Sequence, residues 1–162
     1  MVVVDSSALI PLIKIGRLDL LRKVFSRIII PEPVWEEVVV EGKLLGKAVN
    51  QLEEGRDWIS IRKSGKGSGA EEGNLDKNDF AVFKAAKDSA DILLTNDAAL
   101  YYYALSQNVK AYWLTTVLLL AVKKKKASKA EAEGILLELV NTAGMHLKSD
   151  ILSELLMIIR NL

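Results

Sequence analysis

Short, unbroken apolar runs alternate along this chain with longer segments in which apolar residues recur every three or four positions. Short runs of this kind are typical of strands buried in a parallel sheet, and the longer segments are typical of helices that cover such a sheet. The pattern predicts strands at residues 2–4, 28–30, 91–95 and 109–113, with an alternating edge strand at 58–61. This alternation predicts an α/β fold: a three-layer α/β/α domain with a central parallel sheet and helices on both faces.

The segments predicted as helices lie between and after these strands. They cover residues 9–15, 17–25, 33–41, 44–52, 75–90, 97–106, 116–126, 128–140 and 149–159. Pro11 is expected to disturb the first helix, because proline lacks the backbone N–H that helices use. The Gly-, Ser- and Lys-rich stretch 63–74 predicts a flexible loop, and it lacks the spacing of a phosphate-binding P-loop. We predict one domain over residues 1–162, with 128–162 as a helical extension packed on it.

Composition narrows the kinds of site that this chain can build. The 162 residues include no cysteine and one histidine, His146, which falls in a predicted surface loop. Thiolate metal sites are therefore excluded, and a zinc site on paired histidines or a Ser-His-Asp triad is disfavoured. The net charge of +1 gives no general basic surface for nucleic acid. The chain starts without signal-peptide features and no apolar run is long enough for a membrane span, so we expect a cytoplasmic protein.

Two aspartates directly follow buried strands. Asp5 comes after the first strand, which we expect at the centre of the sheet, and Asp97 follows the strand at 91–95. Ligands of open α/β sheets bind beyond the carboxyl ends of the strands, so both acids stand where a site is expected. The alternative for each is the N-cap of the next helix. Thr95 and Asn96 add short polar groups at the same edge, which a cap alone does not require.

Two further acidic positions lie on helices. Asp79 falls on the apolar face of its helix, where a carboxylate is unfavourable unless it is paired or binds a cation. The alternative is a capping box in which Asp76 is the N-cap and Asp79 the acid three residues later. Glu36 and Glu37 lie on the helix opened by Pro33, and periodicity places Glu37 nearer its inner stripe. For either glutamate alone, a first-turn acid that complements the helix dipole is the simpler explanation.

As a set, these acids point to metal-assisted chemistry. Carboxylates brought together raise each other's pKa unless cations neutralise them. Oxygen ligands without cysteine or histidine favour Mg²⁺ or Mn²⁺. Such ions activate water and stabilise the charge that develops on a phosphate during hydrolysis. The set therefore predicts a metal-dependent phosphodiester nuclease.

Four short segments of the sequence resemble the PIN-domain ribonucleases, and in particular the archaeal and bacterial branch that includes toxins of the VapC type. Residues 3–10 are similar to the opening strand, aspartate and Ser/Thr pair of that family. Residues 30–38 resemble its proline-led helix, in which the second acid of the Glu-Glu pair is the site residue. Residues 79–86 and 94–97 resemble its third and fourth elements, and their spacing also matches. The loop at 63–74 and the helical tail exceed the smallest toxins of the family.

The resemblance implies a fold, an activity and a set of site residues. It implies RNA cleavage with Mg²⁺ or Mn²⁺, a frequent homodimer and often a small antitoxin partner. It also chooses Glu37 over Glu36. The metal-binding and catalytic acids that it implies are Asp5, Glu37, Asp79 and Asp97, with Ser6, Thr95 and Asn96 as secondary polar contacts.

Other readings of the sequence remain beside this one. Asp5 as the nucleophile of a haloacid-dehalogenase-like phosphatase is disfavoured, because that family needs a second Asp where this chain has Ser7. A PIN-like scaffold that binds RNA or protein without cutting is the non-enzymatic alternative. The four lysines at 123–126 predict a solvated helix end, with an RNA backbone contact as the alternative. Of the three tyrosines at 101–103, at least one ring is expected to face outward. The last predicted helix, residues 149–159, is expected to pack its apolar face in the core.

Overall fold

The computed structural model describes residues 1–41, 45–63, 75–89 and 91–162. Its strands are β1 (Val2–Val4), β2 (Ile28–Pro31), β3 (Ile59–Arg62), β4 (Ile92–Leu94) and β5 (Ala111–Tyr112). The sheet has the order β3-β2-β1-β4-β5, and each neighbouring pair is parallel. The predicted parallel sheet is confirmed, with the first strand at its centre and the strand near residue 60 at an edge.

The central position of β1 follows from its composition. Its three valines are fully buried. β-branched side chains favour extended backbone and pack well on both faces of a sheet. In the register of the sheet Val2 is opposite Ile28 of β2, and Val4 is opposite Leu94 of β4. The carboxyl ends of β1 and β4 therefore lie side by side.

The helices begin and end within a few residues of the predicted bounds, and α3 continues as a π-helical segment, Glu37–Glu41. They are α1 (Ser6–Lys14), α2 (Asp19–Phe25), α3 (Glu32–Glu36), α4 (Leu45–Glu54), α5 (Lys77–Ser89), α6 (Ala98–Ser106), α7 (Leu114–Lys123), α8 (Lys129–Asn141) and α9 (Ser149–Asn161). Most of the predicted flexible loop, residues 64–74, lies outside the described residues.

The helices pack in two groups around the sheet. Helix α2 contacts β2 and α7, and α7 contacts α8 and α9. Helix α5 contacts β1, α3 and α6. This is the three-layer α/β/α arrangement that the alternating pattern predicts. No helix in the described part of the chain is long and apolar enough to cross a membrane.

The first helix differs from its prediction in two ways. It begins at Ser6 rather than Leu9, because Asp5 caps it. Pro11 lies inside the helix, which continues to Lys14. Pro11 therefore does not end the helix, although it removes the backbone N–H of one helical hydrogen bond.

The C-terminal part of the chain is mainly helical, and both α8 and α9 contact α7. The Ser128 hydroxyl accepts a hydrogen bond of 3.0 Å from the Glu131 backbone N–H and so caps α8. Helix α9 buries Ile159, but Ile151 on the predicted apolar face is exposed. The prediction that this face is core is therefore confirmed only in part. His146 lies in the exposed loop between α8 and α9, as predicted.

Candidate functional site

The topology of the sheet creates a crevice at the ends of β1 and β4. The chain leaves β1 toward β2 on one side, and it returns to the other side of β1 with β4. Such a reversal of strand order leaves a crevice at the carboxyl ends of the two strands, and ligands of α/β proteins bind there. The backbone N–H of Asp5 donates to the Leu94 carbonyl at 2.9 Å, so Asp5 and Thr95 are the first residues beyond the paired strands.

Asp5 is buried and held by several hydrogen bonds. Its Oδ2 accepts from the Ser7 hydroxyl at 2.5 Å and from the Thr95 hydroxyl at 2.9 Å. The same oxygen accepts from the Ser7 backbone N–H at 3.4 Å, so Asp5 is also the N-cap of α1. Burial raises the pKa of the Asp5 carboxyl, and these hydrogen bonds only partly oppose that rise. Asp5 can therefore cap α1 and belong to the candidate site at the same time.

The serine that organises this network is Ser7, whereas the sequence analysis named Ser6. Besides its bond to Asp5, the Ser7 Oγ accepts from the Asn96 backbone N–H at 2.8 Å. It lies 3.1 Å from the Thr95 hydroxyl. Ser6 contributes a backbone hydrogen bond to the Asp5 carboxylate. The missing signal was the start of α1: once Asp5 is the N-cap, the residue two positions later is the one that faces it.

Asn96 ties the end of β4 to α1 and α7. Its side-chain amide donates to the Ser7 carbonyl at 3.3 Å, and its Oδ1 accepts from the Leu114 backbone N–H at 3.2 Å. In an unbroken helix the Ser7 carbonyl would accept from residue 11, but Pro11 has no N–H to donate. The proline therefore frees the carbonyl that Asn96 binds. Thr95 and Asn96 both make hydrogen bonds at this edge of the sheet, and their role as secondary contacts of a metal site stays a prediction.

Asp97 caps helix α6 at the same edge. Its Oδ1 accepts from the Leu100 backbone N–H at 2.9 Å, and its own N–H donates to the Thr95 hydroxyl at 3.0 Å. The N-cap alternative for Asp97 is therefore correct. The same hydrogen bonds hold the Asp97 carboxylate beside Thr95, whose hydroxyl donates to Asp5.

Glu37 stands where α3 widens into the π-helical segment. Glu36 is exposed and Glu37 is half-buried, so the structure separates the two glutamates in favour of Glu37. The Asn78 side chain, from the first turn of α5, donates to Glu37 Oε2 at 3.4 Å. π-helical turns are rare and occur often at functional sites, where they change the direction of a side chain.

Asp79 lies in the first turn of α5, half-buried. Its backbone N–H donates to Asp76 Oδ1 at 2.8 Å, so the predicted cap by Asp76 is present. The pKa of the Asp79 carboxyl is raised to about 7, first by burial and then by the negative charges of four other acids. Those acids are Asp5, Asp76, Asp97 and Glu37.

We refer to these five residues as the acidic cluster: Asp5, Glu37, Asp76, Asp79 and Asp97. It includes the four acids predicted from the sequence, which come from four separate elements. The negative charges of the other members raise the pKa of Asp79. Asp76, which the sequence analysis treated only as a cap, is the added member. Its closeness to Asp79 follows from the capping box, in which the N-cap residue stands three positions before the acid.

The acidic cluster suits a hard divalent cation in its chemistry, since its donors are carboxylate oxygens. The raised pKa of Asp79 also shows negative charge that a cation would relieve. Among the described residues, however, no three acidic or histidine side chains already form a compact metal-binding group. Mg²⁺ commonly takes only one or two carboxylates, with water and substrate phosphates as its other ligands. The residues present therefore fit such an ion.

A comparison with a solved structure agrees with this architecture. A PilT N-terminus domain protein, SSO1118, from the hyperthermophilic archaeon Sulfolobus solfataricus P2 is similar in fold, with a TM-score of 0.50 and 15% sequence identity. The match covers 72% of this chain and 88% of that one. A domain of a functionally unknown protein from Methanocaldococcus jannaschii DSM 2661 has 26% identity and a TM-score of 0.48, over 69% of this chain and 89% of that one. The curated proteins contain no match.

The family comparison covers nearly the whole sequence. The profile of DUF3368, described as a PIN domain, matches residues 1–161. PIN domains are typically nucleases and generally use divalent metals. The resemblance found in the four short segments is thereby confirmed at the level of the family, and this chain belongs to the DUF3368 family of PIN domains.

Proposed function

We propose that this protein is an endoribonuclease that needs Mg²⁺ or Mn²⁺ to hydrolyse phosphodiester bonds in RNA. The observation that carries the proposal is the acidic cluster, in which burial and like charges raise the pKa of Asp79 to about 7. A fold retains mutually repelling carboxylates mainly where function requires them. Membership of a family of typical nucleases supports the reaction class. The choice of RNA as substrate comes from the resemblance to PIN-domain ribonucleases.

The residues of the acidic cluster would play different parts in binding the ion, because their hydrogen bonds and protonation differ. A divalent ion, when bound, would neutralise the carboxylates, activate water and stabilise charge on the phosphate. Asp5 is the most rigid ligand, because Ser7 and Thr95 hold its Oδ2. Asp97 is oriented by the N–H of Leu100. Asp79 must lose the proton that its raised pKa retains near neutral pH, so its carboxyl responds most to the arrival of a cation.

The first experiment is RNA cleavage by purified protein and by Asp5→Asn. The panel contains structured and single-stranded RNAs, each with Mn²⁺ or with EDTA. Asn keeps the shape and one acceptor oxygen of Asp5 but removes its charge, so we expect cleavage to fall at least about a hundredfold. Asp57→Asn is the matched control, because Asp57 is an exposed acid paired with Arg22 at 2.8 Å. Normal cleavage by Asp5→Asn would contradict the site assignment.

Metal binding gives a separate test of the same proposal. Mn²⁺ at about a hundred times its dissociation constant stabilises a folded protein by about 2.7 kcal/mol. For a domain of this size that corresponds to a rise in Tm of about 5–10 °C. We expect the rise in the natural protein and its loss in Asp5→Asn. A rise without cleavage of any RNA would indicate a substrate outside the panel. The absence of both a rise and cleavage would contradict the metal site and favour the non-catalytic scaffold.

We also propose that the chain forms a homodimer, as its resemblance to the family implies. Several large apolar side chains are exposed on α6 and α9, and exposed apolar patches commonly mark protein interfaces. They are Tyr102, Leu105, Ile151, Met157 and Ile158. Light scattering of the purified protein tests the proposal: a molar mass of one chain at all concentrations would contradict it.

A further inference from the structure

A cavity of about 500 Å³ begins beside the acidic cluster. Its wall includes Ser7 and Asn96, which belong to the hydrogen-bond network around Asp5. The Ser7 hydroxyl lies 2.5 Å from Asp5 Oδ2, so a single side chain separates the cavity from that carboxylate. A molecule bound at the cluster that extends toward α7 would therefore enter this cavity.

The lining of the cavity also includes an aromatic ring that two other rings contact. Trp113, which precedes α7, is stacked on Tyr101 with ring centroids 4.0 Å apart and an angle of 18° between the rings. Tyr102 meets the same indole edge-on at 6.4 Å. A ring held by two others presents its remaining surface at little entropic cost, which is the property of a good stacking platform.

The other side chains of the cavity are suited to reading the edge of a planar ligand. Thr115 and His146 carry hydrogen-bonding groups, and Asn96 adds an amide. Met145 supplies a polarisable thioether, and its Sδ accepts a weak hydrogen bond from the Asn96 amide at 3.4 Å. Mainly apolar walls with a few placed polar groups are typical of small-molecule sites, and about 500 Å³ is within their usual range.

We propose that this cavity binds a nucleobase of single-stranded RNA, next to the phosphate held at the acidic cluster. The proposal rests on the proposed nuclease function for the location of the phosphate, and on the cavity itself for the base. Its position gives the base a stacking partner in Trp113 and hydrogen-bond partners in Thr115 and His146. The cavity would thus select the nucleotide beside the cleaved bond.

The natural protein contains a reporter for this test. The chain has three methionines, and of these Met145 lines the cavity, while Met1 and Met157 are exposed elsewhere. With ¹³C-labelled methionine methyl groups, the protein is titrated with each of the four nucleoside 5′-monophosphates and with ribose 5-phosphate, all in EDTA. We expect at least one nucleotide to shift the Met145 signal, while ribose 5-phosphate leaves it in place. No shift with any nucleotide, or an equal shift with ribose 5-phosphate, overturns the proposal.

A pair of variants from one loop separates base recognition from simple charge. His146 and Lys148 are both exposed in the segment before α9, and His146 lines the cavity. Removing a base contact costs about fivefold or more in affinity, so His146→Ala should weaken binding of the best nucleotide by that factor. Lys148→Ala should leave it within about twofold. Equal losses in both variants would mean that the phosphate charge is bound, and that result overturns the proposal.

The binding test and the cleavage test fail independently. A shift at Met145 without RNA cleavage upholds the cavity and contradicts the nuclease. RNA cleavage without any shift at Met145 upholds the nuclease and contradicts the base-binding cavity. Where both succeed, an RNA with an abasic nucleotide beside the cleaved bond should show a KM about fivefold higher, and His146→Ala should reduce that difference without abolishing it, because Trp113 still stacks on the base. An abasic RNA cleaved with an unchanged KM overturns the placement of the base.

Discussion

The two ends of helix α7 present opposite electrostatic situations. Its first residue, Leu114, is bound by Asn96 at the edge that carries the acidic cluster. At its other end, four exposed lysines at residues 123–126 form the last residue of the helix and the three that follow it, and we call them the lysine turn. Next to the lysine turn, Glu131 accepts from Arg17 at 2.6 Å and from Lys23 at 2.7 Å. These cations lower the pKa of Glu131 to about 2, whereas neighbouring acids raise the pKa of Asp79 to about 7.

The contrast distinguishes an end where opposite charges stabilise the fold from the end that holds the proposed active site. At the lysine end each buried or half-buried charge meets its opposite, so the ionised forms support the fold. At the acidic end the charges repel, and the fold loses free energy by bringing them together. A native structure tolerates such a loss where a ligand compensates it. The acidic cluster is therefore the region that a cation should change most.

The largest expected effect is that of Asp79→Asn. In EDTA this variant should unfold about 2–4 °C above the natural protein, because it removes a carboxylate repelled by its neighbours at a cost of about 1 kcal/mol after solvent screening. Its RNA cleavage should fall at least about a hundredfold, since the same carboxylate is a proposed metal ligand. Differential scanning calorimetry and a cleavage assay measure the two quantities.

Asp88→Asn is the matched control for that variant. Asp88 lies on the same helix, exposed, and accepts from Lys84 at 3.0 Å. Its replacement should leave cleavage unchanged and should not raise Tm. If Asp79→Asn lowers Tm in EDTA, the repulsion inferred for the acidic cluster is absent.

The pH dependence of stability should carry the same signature. The pKa of Asp79 rises from 3.8 to about 7 on folding, so the folded protein binds this proton more tightly than the unfolded chain does. On account of this group, the free energy of unfolding falls as pH rises from about 4 to about 7 and stays low above that. Asp79→Asn cannot titrate, so its advantage in EDTA should be absent near pH 4 and largest above pH 7. Urea unfolding across this range tests it, and an advantage that is independent of pH would contradict the raised pKa.

The strands of the sheet and most of the acidic cluster could be predicted from the sequence. Buried β-branched runs that end in an acid identify both the strands and their carboxyl edge, because such runs are stable only inside a sheet. Asp5 and Asp97 could be placed in this way. Asp79 could be placed from helical periodicity, since a carboxylate on an apolar face needs a reason.

The remaining features depend on tertiary contacts that a periodic pattern does not contain. The π-helical segment that begins at Glu37 departs from the 3.6-residue period, so the pattern of the sequence does not predict it. The role of Pro11 becomes visible only when Asn96, from a distant strand, binds the carbonyl that the proline frees. Ser7 replaces Ser6 because α1 begins earlier than its apolar pattern suggests.

A smaller effect is expected at the lysine end. Glu131→Gln should lower the free energy of unfolding by about 1 kcal/mol, because Arg17 and Lys23 lose a partner but both keep Asp19. The loss should be present at neutral pH and should vanish as pH falls from about 4.5 toward 2, where the natural Glu131 is itself protonated. RNA cleavage should not change. The exposed Glu138→Gln, on the same helix, is the control for general effects of removing an acid.

The smallest effect is expected for the double variant Lys124→Gln, Lys126→Gln. Both residues are exposed in the lysine turn, at the far end of α7 from the acidic cluster, so an RNA phosphate at the cluster does not reach them directly. The free energies of unfolding and of RNA binding, measured through Tm and through KM for a short RNA, should therefore each change by no more than about 0.5 kcal/mol, as for ordinary surface substitutions. The salt dependence of KM gives the sharper measurement, because each lost phosphate contact to a single strand reduces the slope by about 0.7. A slope that falls while KM rises several-fold would show that RNA extends along α7 and that the two ends of this helix act together.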